Sequence, residues 1–234
     1  MATDFGNSGK AEEYSIGVAA EELTLKPVVM KVIGDVRGRR VLDLGCGDGR
    51  YSVALAEKGA IVKAIDPSAH QINIARKKNS HNNVHYIVLD GSGMPGIMTG
   101  SMDMVLMNMV VPDIREEGTL LDVLSEAARV LKGGGRMIIS NTHPLYLSPD
   151  QDPSDRPLTF RAEDYFMEGH VYRAEARLKN GKRIKFIETH FSLSFLSEKL
   201  EEAGFLIKRI HESRILPERK MCLPKYIILE CVKK

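Results

Sequence analysis

The chain has 234 residues, of which 43% are hydrophobic and 27% are charged, proportions that are ordinary for a globular protein. This length predicts one domain with an inserted lid. A formal net charge of +2 is too small to indicate nucleic acid or an anionic membrane as a binding partner.

The three cysteines, Cys46, Cys222 and Cys231, are odd in number and lack the spacing of a metal site. We therefore expect no bound metal, and free thiols in a reducing compartment. The polar residues 1–10 contain no apolar signal segment, and no run of about 18 apolar residues occurs. These features predict a cytoplasmic protein without a membrane span.

Apolar residues recur at helical spacing between residues 12 and 36. Because proline disrupts a helix interior, we expect Pro27 to divide this stretch into two helices. The pattern predicts a helical cap formed by residues 1–36 and a main domain formed by residues 37–234.

Strands and helices alternate through the middle of the chain. This alternation predicts an α/β fold in which helices cover both faces of a mostly parallel sheet and crossovers are right-handed. The predicted strands are residues 39–44, 61–66, 84–89, 101–109 and 136–140, and the predicted helices are residues 51–58, 67–79 and 115–131.

The regular alternation ends after Asn141, where a proline-containing loop begins. Beyond it, residues 165–177 and 182–191 alternate on either side of Asn180-Gly181, a pattern typical of a β-hairpin. Because long insertions in compact domains often cover binding sites, we predict that residues 143–191 form a lid. A helix at 193–203 and strands at 205–210 and 225–232 complete the predicted fold.

The most informative segment is the glycine-rich turn that joins the first predicted strand to the next helix. Gly45, Gly47 and Gly49 allow a tight turn and a close approach of a ligand to the backbone. The following helix presents free N–H groups to a carboxylate or phosphate. The turn therefore predicts a nucleotide-like ligand at the carboxyl edge of the sheet.

Two residues argue against a nicotinamide dinucleotide as this ligand. The dinucleotide pattern requires a small residue three positions after its second glycine, where this chain has Arg50. Asp43, two residues before Gly45, suits a ligand with an ammonium group better than a pyrophosphate. S-adenosylmethionine carries an ammonium, a carboxylate and a sulfonium, and it has no phosphate.

Residues 41–49 resemble motif I of the class I S-adenosylmethionine-dependent methyltransferases. The resemblance continues through Asp66, Asp90-Gly91 and residues 131–135, and it covers about residues 35–141. It implies a Rossmann-like, seven-stranded, mostly parallel sheet with an antiparallel last strand. It also implies methyl transfer from S-adenosylmethionine, with S-adenosylhomocysteine as product.

The resemblance implies that Asp43 and the backbone of residues 45–49 hold the methionine end, and that Asp66 binds the ribose hydroxyls. Asp90 is expected at the adenine amino group and Asn108 near the methyl group. The N-terminal segment, with Tyr51 beside it, is expected to close over the cofactor. The predicted cofactor-binding set is Tyr14, Asp43, Gly45, Cys46, Gly47, Asp66, Pro67, Asp90, Gly91, Asn108 and Met109.

Some of these residues also have purely structural interpretations. Asp66 could begin the helix that follows it, and Asp90-Gly91 could form a turn. Their positions at the ends of successive strands favour the cofactor interpretation. Cys46 is interpreted as a small packed residue in the turn, and not as a nucleophile.

Two histidines are candidates for a general base, which methyl transfer to a hydroxyl or an ammonium group requires. His143 follows the fifth predicted strand, and His190 lies where the insertion returns to the main domain. The alternative is that either ring only packs or holds a loop by a hydrogen bond.

The predicted reaction is an in-line displacement onto a small-molecule acceptor by a monomer or homodimer. A nucleic-acid or protein methyltransferase is the main alternative, although residues 108–112 lack the Asn/Asp-Pro-Pro-aromatic motif of amino-methylating nucleic-acid enzymes. A non-catalytic protein that binds S-adenosylmethionine also remains open.

Overall fold

The computed structural model describes residues 8–18, 21–144, 156–157, 159–213 and 224–234. The strands in these ranges are β1 Arg40–Leu44, β2 Ile61–Asp66, β3 Val84–Val88, β4 Met102–Asn108, β5 Leu131–Thr142, β6 Arg156–Pro157, β7 His170–Arg177, β8 Arg183–His190, β9 Phe205–Glu212 and β10 Tyr226–Lys233. The helices are α1 Ser8–Tyr14, α2 Lys26–Ile33, α3 Arg50–Glu57, α4 Ala69–Lys78, α5 Glu117–Val130 and α6 Leu193–Glu202.

The main sheet has seven strands in the order β3-β2-β1-β4-β5-β10-β9. The pairs from β3 to β5 are parallel, whereas β10 is antiparallel to both of its neighbours. The predicted mostly parallel sheet with an antiparallel last strand is confirmed. This order brings the carboxyl ends of β1, β2 and β4 to one edge of the sheet.

Alternate residues of each central strand enter two separate cores, as the pleat of a strand requires. Leu42 lies in the core beneath α5 and α6, and its neighbour Val41 lies in the core beneath α2, α3 and α4. Helices therefore cover both faces, as predicted. Within the described ranges, no helix has the length and apolar character that crossing a membrane would need.

Pro27 lies where two helical pieces meet, as expected. A short π-helical segment, Glu21–Leu25, leads directly into α2, and Pro27 lies in the first turn of α2. Proline is compatible with this position because first-turn N–H groups have no partner within the helix. The division of the chain into a cap and a main domain at residue 36 remains a prediction.

The glycines at residues 133–135 do not separate helix from strand as expected. The strand β5 begins at Leu131, and its register against β4 shifts between Met102 and Met104. Leu131 is paired with Met102 and Arg136 with Met104, so the glycine-containing segment forms a bulge.

The insertion forms a separate antiparallel sheet in the order β6-β7-β8. The predicted hairpin is confirmed, and Gly181 has a φ of 84° at its turn. Tyr165 lies in the 3₁₀ turn Ala162–Phe166 and not in a strand, because Asp164 accepts the Arg161 N–H and caps this turn. The N-terminal segment joins the same sheet through a bridge between Val18 and Leu178.

Candidate active site

The glycine turn follows β1 at the carboxyl edge of the main sheet. Gly45, Gly47 and Gly49 have φ values of 70°, 53° and 84°. Residues with a Cβ rarely occupy this positive-φ region of the backbone. A Cβ on Gly45 would lie 2.4 Å from the Val110 Cγ2 atom, whereas one on Gly47 would meet nothing within 4 Å. The turn therefore packs closely at Gly45 and leaves the backbone at Gly47 open.

A cavity lies directly against this turn. It is lined by five of the predicted cofactor residues together with four neighbours, of which only Glu21 was not considered from the sequence. The residues that line it are Glu21, Asp43, Gly45, Cys46, Gly47, Asp48, Arg50, Tyr51 and Asn108.

Asp43 is almost completely buried at the floor of the cavity, with 1% of its surface exposed. Burial raises the pKa of Asp43 to about 7, although a 2.5 Å hydrogen bond from the Ser52 hydroxyl to Oδ2 lowers it. Nearby Asp66 and Asp48 raise it further by repulsion. A cationic group at this position would favour the ionised form of Asp43.

Asp66 ends β2 and reaches back to the glycine turn. Its Oδ2 atom accepts the Gly47 N–H at 2.9 Å, and its Oδ1 atom accepts the Ser68 N–H at 2.8 Å. Each carboxylate oxygen can accept a second hydrogen bond, so the group retains the capacity to bind a ribose diol. The side chain that caps the N-terminus of α4 is the Ser68 hydroxyl. The helix is therefore started by Ser68 and not by Asp66.

The predicted adenine-side residues lie outside this cavity's lining. Asp90 is exposed, and its Oδ1 atom accepts hydrogen bonds from the N–H and the hydroxyl of Ser92, both at 2.8 Å. Gly91 is buried against Leu44, and Pro67 is exposed beside Asp66. The turn at Asp90 leaves Oδ2 available, and the adenine role of these residues stays a prediction.

At the end of β4, the Asn108 side chain lines the cavity while its Oδ1 atom accepts a 2.7 Å hydrogen bond from the Ser140 hydroxyl. Met109 has a φ of 55°, which is strained for a residue with a side chain. Its N–H donates to the Ser140 carbonyl oxygen. Tyr14 is the last residue of α1, and its side chain lies outside the described residues.

Glu21 and Tyr51 close the cavity on the side of the N-terminal segment. Burial raises the pKa of Glu21 to about 7, with Arg50 and Lys225 opposing the rise. The Tyr51 hydroxyl is buried and has no hydrogen-bond partner among the described residues. No sequence motif marks Glu21, because the fold of the N-terminal segment alone brings it to the glycine turn.

His143 lies just beyond β5, and its ring is buried. Its Nε2 atom is 3.0 Å from the Glu212 Oε1 atom, and the backbone N–H of His143 donates to the Lys225 carbonyl oxygen. Burial lowers the pKa of His143, whereas Glu212 raises it. The Nε2 atom of His143 is therefore already paired with the Glu212 carboxylate.

His190 ends β8 within an aromatic cluster. Its Nε2 atom lies 2.8 Å from the Tyr165 carbonyl oxygen, and its ring packs edge-on against Phe160 at a centroid distance of 4.8 Å. Burial lowers the pKa of His190. The arrangement matches the packing alternative, and the catalytic role of both histidines stays a prediction.

Residues 42–139 match a family model described as a methyltransferase domain. Over 152 residues, the chain is 27% identical to the N-demethylindolmycin N-methyltransferase of Streptomyces griseus, covering 62% of this chain and 64% of that protein. Over 121 residues, it is 31% identical to a ubiquinone biosynthesis O-methyltransferase of Xanthomonas oryzae pv. oryzae, covering 50% and 49%. The chain thus spans about half to two thirds of the length of these relatives.

Two solved structures share the fold over nearly the whole chain. The CcbJ methyltransferase from Streptomyces caelestis has a TM-score of 0.70 at 15% identity, covering 99% of this chain and 98% of its own. A Burkholderia thailandensis 1,6-didemethyltoxoflavin-N1-methyltransferase has a TM-score of 0.59 at 18% identity, covering 97% and 84%. Residues 42–139 are therefore similar to a methyltransferase domain, and the chain has the fold of these solved methyltransferases.

Proposed function

We propose that the chain transfers the methyl group of S-adenosylmethionine to a small-molecule acceptor, leaving S-adenosylhomocysteine. The observation that carries this proposal is the cavity at the glycine turn, where Asp43, Gly47 and Asn108 converge in a methyltransferase domain. The cofactor supplies an activated methyl group on a sulfonium. The protein has to bind the cofactor and the acceptor, orient them for the transfer and exclude water.

The residues around the cavity fit the parts of this cofactor. Asp43 offers a buried carboxylate to the α-ammonium, and the N-terminus of α3 offers backbone N–H groups to the α-carboxylate. Asp66 retains acceptor capacity for the ribose hydroxyls. Asp90, Gly91 and Pro67 are proposed to contact the adenine, as the resemblance implies.

Two observations support a small acceptor. The insertion places β8 against the turn that follows β4, so a protein layer stands beside the edge where the methyl group is expected. The names of the matched relatives refer to N-demethylindolmycin and to ubiquinone biosynthesis, both of which involve small organic molecules. These relatives differ in the acceptor atom, so their names leave nitrogen and oxygen acceptors open.

The experiment is a screen of small-molecule acceptors that detects released S-adenosylhomocysteine. Turnover with one acceptor class, lost in Asp66→Ala, is the expected result. Turnover with RNA or protein substrates alone would overturn the small-molecule acceptor. If both cofactor forms bind and no substrate of any class is methylated, the chain is a cofactor-binding protein without this activity.

A further inference from the structure

Four polar side chains lie on one face of the main sheet near its carboxyl edge. They are Asp66 on β2, Asp43 on β1, Asn108 on β4 and Ser140 on β5, and these strands are neighbours in that order. Directly paired residues, and residues two positions apart on one strand, share a face of a sheet. The strand register therefore places all four on the same side, where Ser140 stands next to Asn108.

The Ser140 hydroxyl determines which way the Asn108 amide faces. Ser140 is completely buried, and its hydroxyl donates to the Asn108 Oδ1 atom at 2.7 Å. Within the described ranges, this is the hydrogen bond that the hydroxyl forms. A buried hydroxyl normally donates its hydrogen, and an amide nitrogen cannot accept it. The amide oxygen of Asn108 therefore faces Ser140.

The backbone that follows Asn108 is held by the same serine. The Met109 N–H donates to the Ser140 carbonyl oxygen at 3.0 Å, in the residue whose φ of 55° is strained. Strained residues of this kind persist where the surrounding structure fixes them, and they occur often at ligand sites. Ser140 thus holds Asn108 through its hydroxyl and the next residue through its carbonyl oxygen.

Two hydrogen-bond donors that border the cofactor cavity have no protein partner. The Asn108 Nδ2 atom donates to no group within the part of the chain that the structure describes, and it is not sealed inside the protein. The Tyr51 hydroxyl is buried and also lacks a partner among the described residues. Both residues line the cavity. Because buried polar groups are normally satisfied, the two donors indicate a ligand that accepts hydrogen bonds.

The methionine end of S-adenosylmethionine contains one group that accepts hydrogen bonds strongly. Its ammonium, sulfonium and methyl groups have no acceptor to offer, whereas each oxygen of the α-carboxylate accepts two hydrogen bonds. Asp43, on the same face of the sheet, is the partner proposed for the ammonium. The α-carboxylate is therefore the part of this end that suits the amide nitrogen of Asn108.

We propose that Ser140 is a positioning residue, which fixes Asn108 as a hydrogen-bond donor to the α-carboxylate of the cofactor. This inference rests on the proposed function, because it concerns how S-adenosylmethionine is held. Asp43 and Asn108 together bind the two opposite charges of the methionine end. A reversed amide would turn its oxygen towards the carboxylate and repel it, and the hydroxyl of Ser140 prevents that reversal.

The first test is calorimetric binding of S-adenosylhomocysteine to Asn108→Asp at pH 8. Aspartate keeps the size of asparagine and the acceptor for the Ser140 hydroxyl, but when ionised it has no N–H donor. Binding should weaken about 10- to 100-fold, the effect of losing a hydrogen bond to a charged group. Unchanged or tighter binding would overturn the proposal, because the side chain would then be accepting from the ammonium.

The second test uses decarboxylated S-adenosylmethionine, which keeps the ammonium and the sulfonium and lacks the α-carboxylate. Asn108→Asp should weaken binding of S-adenosylmethionine about tenfold more than binding of the decarboxylated form, because only the first ligand loses a hydrogen bond. Retained binding of the decarboxylated form also shows that the variant is folded. Equal weakening of the two ligands would contradict the assignment to the carboxylate.

A double-mutant cycle tests the positioning role of Ser140. Ser140→Ala should weaken S-adenosylhomocysteine binding about fivefold in the wild type, but less than about twofold where Asn108 is already alanine. Ser140→Thr, which keeps the hydroxyl, should restore the affinity. Equal effects of Ser140→Ala in the two backgrounds would contradict the positioning role. If Ser140→Ala does not fold, Asn108→Asp still tests the proposal with the serine in place.

The matched control is Ser213→Ala. The Ser213 hydroxyl is equally buried, but it accepts the Tyr226 N–H instead of contacting a residue that lines the cavity. This control should leave S-adenosylhomocysteine affinity within about twofold of wild type, and a fivefold loss would assign the effect to any buried serine. A wild-type protein that fails to bind S-adenosylhomocysteine would count against the proposed function. Binding that Asn108→Asp leaves unaltered would overturn only the roles of Asn108 and Ser140.

Discussion

The glycine-turn edge of the main sheet and the inserted sheet build their parts of the site in different ways. At the turn, the backbone conformation shapes most of the cavity, and the residues that line it follow one another in sequence or end neighbouring strands. At the insertion, the side chains that meet come from separate segments: Arg115 after β4 donates to Thr189 of the hairpin, where Tyr172 donates to Glu188. A local motif can encode the first region, whereas only tertiary packing creates the second.

The largest difference should appear when equivalent glycines of the two regions are replaced. Gly45→Ala combines a φ of 70° with a Cβ placed 2.4 Å from Val110, so the free energy of unfolding should fall by about 3 kcal/mol. Gly181→Ala has a φ of 84° but open space around its Cβ, so about 1 kcal/mol is expected. Urea unfolding measures both, and equal losses would contradict the packing account.

The pH dependence of stability should be governed by the buried carboxyl groups near the glycine turn and not by exposed carboxylates on the insertion. The folded-state pKa values of Glu21 and Asp43, each about 7, and of Asp113 in the turn after β4, about 8, lie above their ordinary values because of burial. Their protonated forms are favoured by folding, so the stability that these three groups contribute is present at low pH and is lost as the pH rises through these values.

We therefore expect the free energy of unfolding of the unliganded protein to fall by several kcal/mol between about pH 5 and about pH 8, because each of these carboxyls contributes about 1.4 kcal/mol per pH unit below its folded-state pKa. Urea titrations at the two pH values measure this change. Glu21→Gln should flatten the profile, whereas the exposed Glu163→Gln should leave it unaltered. A stability that rises over this range would show that these carboxyls fold in their ionised forms.

A substitution at Tyr51 tests whether a side chain that lines the cavity serves ligand binding or folding. Because its buried hydroxyl has no partner among the described residues, Tyr51→Phe should change the unfolding free energy by less than about 1 kcal/mol. It should weaken S-adenosylhomocysteine binding by about fivefold, the effect of one neutral hydrogen bond. Lower stability with unaltered affinity would indicate that the hydroxyl serves the fold.

The smallest effects are expected at the two histidines. Removal of a general base typically lowers kcat by about 10²–10⁴-fold. His143→Gln and His190→Gln should lower it by less than about tenfold, because the Nε2 atom of each ring already has a protein partner. A larger loss with a shifted pH profile in either variant would restore that histidine as the base.

The sequence was sufficient for the mostly parallel sheet and the glycine turn, because alternating strands and helices and closely spaced glycines are local patterns. Asp43 and Asn108 could be placed from the ends of their strands. Pro27 marks the junction of two helical pieces, because proline is tolerated in a first helical turn, but only the structure shows that the first piece is a short π-helix.

Glu21 and Ser140 could not be selected from the sequence as parts of the site. Glu21 resembles an ordinary surface carboxylate in its local context, and Ser140 resembles an ordinary strand residue. Their places depend on how the N-terminal segment packs against the sheet edge and on the register of β5 against β4. His143 and His190 were selected because histidine is a frequent base. Their hydrogen-bond partners, which argue for a structural role, come from distant residues.

The most direct test of the account is a calorimetric titration of S-adenosylhomocysteine into the wild-type protein and Asp66→Ala. The wild type should bind, and the variant should bind about 10- to 100-fold more weakly, because it loses charge-assisted hydrogen bonds to the ribose. Glu163→Gln, an exposed carboxylate on the insertion, is a control expected to bind within about threefold of wild type. Binding of a nicotinamide dinucleotide in place of S-adenosylhomocysteine, or equal affinity in Asp66→Ala, would contradict the account.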